Sequence, residues 1–134
     1  MTDTPVLSGK RIVVVEDNPV VRMGVEEILR DAGAYIVKSF SHKADGAVLD
    51  VNLGCGISAI PIAVTLSFRH VPFMFYTGQS EGVLAPIRDR WPGCRVVSKP
   101  STAREIVNAV ADMLQHPWMT AIRTRGSGEL HGAN

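Results

Sequence analysis

Short β-branched runs alternate with amphipathic segments along this chain. Residues 11–15 read Arg-Ile-Val-Val-Val, a β-branched run that is followed by two acids, as expected of a strand buried on both faces. Asn18 and Pro19 then predict the start of a helix. Apolar residues recur after them at three- and four-residue spacing until Gly33, which predicts the end of that helix.

The same alternation continues to residue 116. Further strands are predicted at residues 35–37, 47–49, 72–76 and 94–97, and further helices at 58–68, 86–91 and from a cap at Ser101 or Thr102 to Pro117. Strands that alternate with helices predict an α/β fold with a parallel sheet and helices on both faces. In such sheets the functional crevice lies beyond the carboxyl ends of the strands.

Composition agrees with one folded domain. Of the 134 residues, 46% are apolar and 20% charged, a balance typical of globular rather than disordered chains. The formal net charge of +1 gives no reason to expect direct binding to nucleic acid or to a membrane. We expect a leader at residues 1–9, a domain at 10–116, a flexible tail at 117–134 without an output domain, and a cytoplasmic location.

Five chemically distinctive residues come at the carboxyl ends of predicted strands: Glu16, Asp17, Asp50, Thr77 and Lys99. Clustered carboxylates form a hard oxygen site suited to Mg²⁺, which keeps several waters and shares its shell with phosphate. A carboxylate is also a competent nucleophile toward phosphorus. Phosphoryl transfer depends mainly on positioning and on neutralising charge, which a metal and a lysine supply. Each residue taken singly also has an ordinary structural interpretation as a turn former, a cap or a solvated charge.

In this order, the five residues resemble the motifs of response-regulator receiver domains over roughly residues 10–115. That resemblance implies a flavodoxin-like five-stranded sheet in the order 2-1-3-4-5. It implies Asp50 as phospho-acceptor and Mg²⁺ as cofactor. The implied metal ligands are Glu16, Asp17, Asp50 and the backbone carbonyl of Asn52, and the implied phosphate-sensing and switch residues are Thr77, Gly78, Lys99 and Pro100. The Lys99–Pro100 bond is typically cis in that family.

Residues 72–79, which read PFMFYTGQ, resemble more narrowly the FATGUY subgroup of receivers. Tyr76 and Gln79 depart from the subgroup pattern. Val96 stands three residues before the lysine, where many receivers have an aromatic residue, so coupling of a threonine to a tyrosine rotamer cannot operate here. Order and disorder in residues 78–85 is the better candidate for a switch.

One departure from the receiver pattern is large. Asp17 and Asp50 lie only 33 positions apart, which is short for this family. A parallel crossover normally takes about a dozen residues or more. We therefore expect the second helix to be missing and replaced by a loop at residues 39–45, with part of the sheet face exposed or left for a partner to cover.

Three functions compete. The first is a single-domain response regulator that accepts a phosphoryl group on Asp50 from a sensor histidine kinase or phosphotransfer protein and signals through altered protein contacts. It would catalyse only its own phosphorylation and dephosphorylation. The alternative is a degenerate receiver that acts as a phosphorylation-independent scaffold or dimerisation module. A true enzyme on the same sheet is disfavoured, because the sequence has neither a glycine-rich phosphate loop after the first strand nor a GxSxG motif.

Overall fold

The computed structural model describes residues 4–38, 43–54 and 56–116. It contains a parallel sheet in the order β2-β1-β3-β4-β5, which confirms the predicted α/β class and strand order. The strands are β1 (Arg11–Val15), β2 (Tyr35–Ile36), β3 (Gly46–Leu49), β4 (Phe73–Thr77) and β5 (Val96–Ser98). The helices are α1 (Pro19–Asp31), α2 (Ile60–Phe68), α3 (Glu81–Arg90) and α4 (Ala103–Gln115).

The sheet separates two hydrophobic cores, because side chains alternate between its faces. On β4, Phe73 and Phe75 face the core that includes α2 and α3, while Met74 and Tyr76 face the core that includes α1 and α4. All five β4 residues are buried, as expected of a central parallel strand. The register pairs Val15 with Leu49 and Thr77 with Ser98, so the ends of four strands meet at one edge.

Caps fix where two helices begin. Asn18 accepts hydrogen bonds on its side chain from the backbone N–H groups of Val20 and Val21. Thr102 and Glu105 form a reciprocal capping box at the start of α4, in which each side chain satisfies a backbone donor. These caps start α1 directly after the acidic pair and α4 directly after Lys99 and Pro100.

Residues before β1 pack onto the domain. Leu7 is 1% exposed and belongs to the α1/α4 core, and its N–H donates to the carbonyl of Ala32 at 2.8 Å. Gly33, with φ of +102°, lies so close that a Cβ there would be 2.9 Å from the Cα of Ser8. Apolar periodicity could not identify Leu7, because Val6 and Leu7 are one apolar pair in a polar stretch and do not recur at the spacing of a helix or strand.

The expected absence of the second helix agrees with the four helices of the described structure. A loop was predicted at residues 39–45, and its residues 39–42 lie outside the described residues. The tail at 117–134 lies outside them as well. Strand β2 pairs with β1 only at Arg11 and Ile12. Beside the rest of β1 lies a cavity of about 360 Å³, lined by Val13, Val14, Val15, Glu16, Arg22, Glu26, Val37 and Lys38.

Helix α3 corrects one prediction. Pro86 was expected to open a short helix, but it lies inside a helix that begins at Glu81. Leu84 and Ile87 are both buried on one face of α3, and this burial outweighs the hydrogen bond that proline cannot donate. None of the helices in the described part of the chain is long and apolar enough to cross a membrane.

We expect Leu7→Ala to lower the free energy of unfolding by about 2–4 kcal/mol, because it leaves a cavity in a closed core. Urea denaturation measures the loss. Val6→Ala is the matched control, since Val6 is 61% exposed and its truncation should change stability by less than about 0.5 kcal/mol. Equal effects of the two substitutions would contradict the packing of Leu7.

Candidate functional site

The acidic pair after β1 divides into one buried and one exposed carboxylate. Glu16 is buried, and its Oε2 accepts a hydrogen bond from the N–H of Asn18 at 3.0 Å. Asp17 is exposed and leans over the loop that follows β3, since a Cβ on Gly54 would lie 2.7 Å from its Oδ2. Gly54, with φ of +87°, thus provides both the turn and the space for this carboxylate.

Asp50 stands at the carboxyl end of β3, beside the end of β1. Its N–H donates to the carbonyl of Val15 at 2.9 Å, and its side chain is 10% exposed. The N–H of Asn52 lies 3.4 Å from Oδ1 of Asp50. The side chain of Asn52 accepts from the N–H of Gly54 at 2.9 Å, which shapes the loop and holds this turn beside the carboxylate.

Lys99 joins two of the predicted carboxylates. Its Nζ donates to Oε1 of Glu16 at 2.5 Å and to Oδ2 of Asp50 at 2.9 Å. Burial alone would lower the pKa of Lys99, but the hydrogen bonds to Glu16 and Asp50, together with their negative charges, outweigh it and raise this pKa above its ordinary value. A buried carboxylate is costly unless paired, so this ammonium makes the acidic crevice compatible with a folded chain.

The switch residues predicted from the sequence lie next to this lysine. Thr77 is buried at the end of β4, its carbonyl accepts from the N–H of Lys99 at 3.0 Å, and its Oγ1 lies 3.4 Å from the N–H of Gln79. Gly78 is exposed, and a side chain there would meet no atom within 4 Å. The Lys99–Pro100 peptide bond is cis.

Sequence reasoning missed the part that Tyr76 takes in this site. Its hydroxyl accepts a hydrogen bond from the N–H of Ser101 at 3.3 Å, and Nζ of Lys99 lies 5.7 Å from the centroid of its ring. From the sequence, Tyr76 was only a departure from a subgroup pattern. A buried tyrosine hydroxyl needs a partner, but only the fold could identify Ser101 as that partner.

The donor chemistry of the crevice fits Mg²⁺. Carboxylate oxygens of Asp17 and Asp50 and the carbonyl of Asn52 are hard ligands, and Mg²⁺ in proteins needs only one or two carboxylates because it keeps several waters. Within residues 4–38, 43–54 and 56–116, no three His, Cys, Asp or Glu side chains are grouped closely enough to form a cage of protein ligands.

We expect Lys99→Met to lower the free energy of unfolding at pH 7 by about 2 kcal/mol, because it leaves Glu16 and Asp50 without their cation. The effect should be smaller than for a fully buried pair, since Lys99 is partly exposed. Adding Asp50→Asn should recover part of the loss, and Lys10→Met, at an exposed lysine, should have little effect.

The raised pKa of Lys99 determines how its contribution to the free energy of unfolding depends on pH. The stabilisation is fully present below the ordinary lysine pKa of 10.5 and is lost as pH rises through the higher value of the folded state. Urea denaturation should therefore show that the difference in free energy of unfolding between wild type and Lys99→Met is smaller above pH 10.5 than at pH 7. A gap that widens with pH would contradict the ion pairs.

No family model and no curated protein matches this sequence. Solved structures do match. A response regulator receiver protein from Sinorhizobium medicae has 20% identity and a TM-score of 0.68, over 82% of this chain and 98% of that chain. A receiver protein from Burkholderia phymatum has 20% identity and a TM-score of 0.68, over 79% and 95%.

The response regulator TrrA from Thermotoga maritima, solved in complex with Mg²⁺ and BeF, has 24% identity and a TM-score of 0.66, over 78% of this chain and 98% of that one. At these identities the likeness concerns the fold, and function must be argued from the site. The strand order and the near-complete coverage of the matched chains lead to one conclusion: this chain has the fold of response-regulator receiver domains.

Proposed function

We propose that this protein is a receiver domain that accepts a phosphoryl group on Asp50 in a Mg²⁺-dependent reaction and signals by altered contacts with other proteins. The observation that carries the proposal is the placement of Lys99 Nζ within hydrogen-bonding distance of both Glu16 and Asp50. Such a cluster of a nucleophilic carboxylate, a second acid and a fixed cation is what phosphoryl transfer to a carboxylate requires.

Asp50 is the proposed nucleophile. Its carboxylate oxygen forms an O–P bond as the P–N bond of a donor's phosphohistidine breaks, and the leaving imidazole keeps that electron pair and takes up a proton from solvent. The ammonium of Lys99 at 2.9 Å from Oδ2 and the N–H of Asn52 at 3.4 Å from Oδ1 orient the carboxylate of Asp50 before reaction, which lowers the entropy lost on reaching the transition state. A sensor histidine kinase or phosphotransfer protein is the proposed donor, and no other substrate is turned over.

Lys99 and Thr77 are proposed to bind the transferred group. The ammonium of Lys99 already contacts Asp50 Oδ2 at 2.9 Å, so a small movement would let it pair with a phosphoryl oxygen. The hydroxyl of Thr77 can donate to another oxygen of the same group. Gly78 leaves this side of the crevice open.

Mg²⁺ would be held by Asp17, Asp50 and the Asn52 carbonyl, with Glu16 beside them. When bound, it supplies positive charge that offsets charge on the phosphoryl oxygens. The proposal gains support from the Thermotoga maritima protein, whose structure was obtained with Mg²⁺ and BeF. Glu16 is already shared between Lys99 and the N–H of Asn18, so its proposed role is to orient the lysine and to add negative charge where the ion would bind.

Residues 78–85 are the proposed switch segment. They comprise an extended stretch and the first half of α3, which Pro86 separates from the second half because proline cannot donate a backbone hydrogen bond to Gly82. Glu81 and Arg88 form an exposed ion pair across this point, which contributes little. The missing hydrogen bond and the weak ion pair lower the cost of rearranging the first half of α3 when Thr77 turns toward a phosphoryl oxygen, and the burial of Leu84 in the core opposes that rearrangement.

We expect acetyl phosphate with Mg²⁺ to add one hydroxylamine-sensitive phosphoryl group to the wild type and none to Asp50→Asn, because only a carboxylate forms an acyl phosphate. Intact-protein mass spectrometry measures the adduct. Asp31→Asn, at an exposed acid on α1, should label like wild type, and EDTA should abolish labelling. A folded wild type that never labels would instead favour the phosphorylation-independent scaffold.

We expect beryllofluoride to change amide hydrogen exchange in residues 78–85 of the wild type and to change it far less in Thr77→Ala, because the hydroxyl is the proposed link between phosphoryl group and switch segment. Hydrogen-exchange mass spectrometry resolves the segment. Peptides from α1 serve as the internal reference. Equal changes in both proteins would remove Thr77 from the switch.

A further inference from the structure

Tyr76 occupies an unusual position for a polar side chain. It lies on β4 directly before Thr77 and faces the α1/α4 core, where it is 8% exposed. On the same face of the strand, Met74 is fully buried and apolar. A phenol here costs free energy unless its hydroxyl finds a partner, so the hydroxyl must be satisfied within the fold.

The partner lies in the loop between β5 and α4. The backbone N–H of Ser101 donates to the hydroxyl of Tyr76 at 3.3 Å, and Oγ of Ser101 donates to the carbonyl of Ser98 at 2.6 Å. On the other side of Pro100, the N–H of Lys99 donates to the carbonyl of Thr77. The backbone is thus fixed to β4 on both sides of Pro100, at Lys99 before it and at Ser101 after it.

The ring of Tyr76 makes the second contact. Nζ of Lys99 lies 5.7 Å from its centroid, within the range where a cation is attracted to an aromatic face. This attraction uses none of the hydrogen-bond donors of the ammonium, so the donors remain available to Glu16 and Asp50.

We propose that Tyr76 is a positioning residue for Lys99: its hydroxyl fixes the backbone after Pro100, and its ring holds the ammonium in the crevice beside Asp50. The proposal rests on the phosphoryl-acceptor function proposed above. Tyr76 belongs to the α1/α4 core, so the proposal gives a core residue a part in the chemistry. The link is the end of β4, where Tyr76 is followed by Thr77, whose carbonyl binds the backbone N–H of Lys99.

Two substitutions separate the two contacts. Tyr76→Phe removes the hydroxyl and keeps the ring, and Tyr76→Leu removes both. Met74→Leu is the matched control, because it changes the same face of the same strand without a described contact to Lys99. Each protein is first shown to be folded by its amide spectrum. Tyr76→Phe retains the ring that fills the core and keeps the test decisive if Tyr76→Leu does not fold.

The first readout is independent of phosphorylation. An aromatic ring shifts the NMR resonances of protons over its face, so the Lys99 Cε protons of the metal-free wild type should have a ring-current shift. We expect that shift to persist in Tyr76→Phe and Met74→Leu and to disappear in Tyr76→Leu. The amide resonance of Ser101 should move in Tyr76→Phe, because its acceptor is gone.

The second readout is the labelling rate with acetyl phosphate. We expect the maximal rate to fall about threefold in Tyr76→Phe and about tenfold in Tyr76→Leu, from the loss of a hydrogen bond and then also of a cation–π contact. The Mg²⁺ concentration for half-maximal labelling should stay unchanged, because Tyr76 contacts none of the proposed metal ligands in the described structure. A general loss of core packing would not lower the maximal labelling rate while leaving the Mg²⁺ concentration for half-maximal labelling unchanged.

Lys99 resonances that coincide in wild type and Tyr76→Leu would overturn the proposal, as would equal maximal rates in all four proteins. If Tyr76→Leu does not fold, the proposal is overturned when Tyr76→Phe has an unchanged Ser101 amide resonance and labels at the wild-type rate. If the wild type does not label at all, the proposed function fails, and the Lys99 and Ser101 resonances alone decide whether Tyr76 positions the lysine.

Discussion

The ammonium of Lys99 is the contact on which the site depends. It reaches from the end of β5, past β4, to carboxylates that follow β1 and β3. Two buried carboxylates side by side repel each other and lose their hydration, so the crevice requires this cation wherever both are ionised. The same lysine is the group best placed to exchange a carboxylate oxygen for a phosphoryl oxygen. Stability of the resting site and the proposed chemistry therefore use one side chain.

The ends of β1, β3 and β4 all contribute to holding that lysine. Thr77 binds its backbone from β4, Tyr76 binds the loop beyond it, and the capping box at Thr102 fixes the start of α4. A contact distributed over several elements is preorganised, since little rearrangement is needed when charge develops nearby. The loop after β3 is shaped separately, through Asn52 and Gly54, and the exposed Asp17 leans over it from the end of β1.

Strand β2 lies at the edge of the sheet opposite to β5. Among the described residues, a cavity lies beside β1, where β2 has ended. Glu16 lines this cavity, yet its carboxylate stays fixed by Lys99 and Asn18. Asp50 keeps its contacts with Lys99, Asn52 and Val15 despite the short connection between β2 and β3.

The sequence by itself predicted the α/β class and the residues at the strand ends, because buried parallel strands have an apolar pattern and strand ends bring polar residues to one edge. The strand order followed from the resemblance to receiver domains, and the missing second helix from the short spacing between Asp17 and Asp50. Tertiary structure alone decided the rest. The burial of Leu7 depends on a distant surface at Ala32 and Gly33, and the course of α3 through Pro86 depends on the burial of Leu84. The contacts of Tyr76 with Lys99 and Ser101 join residues far apart in the chain, and no local pattern carries such information: a side chain's partner is set by how the elements pack.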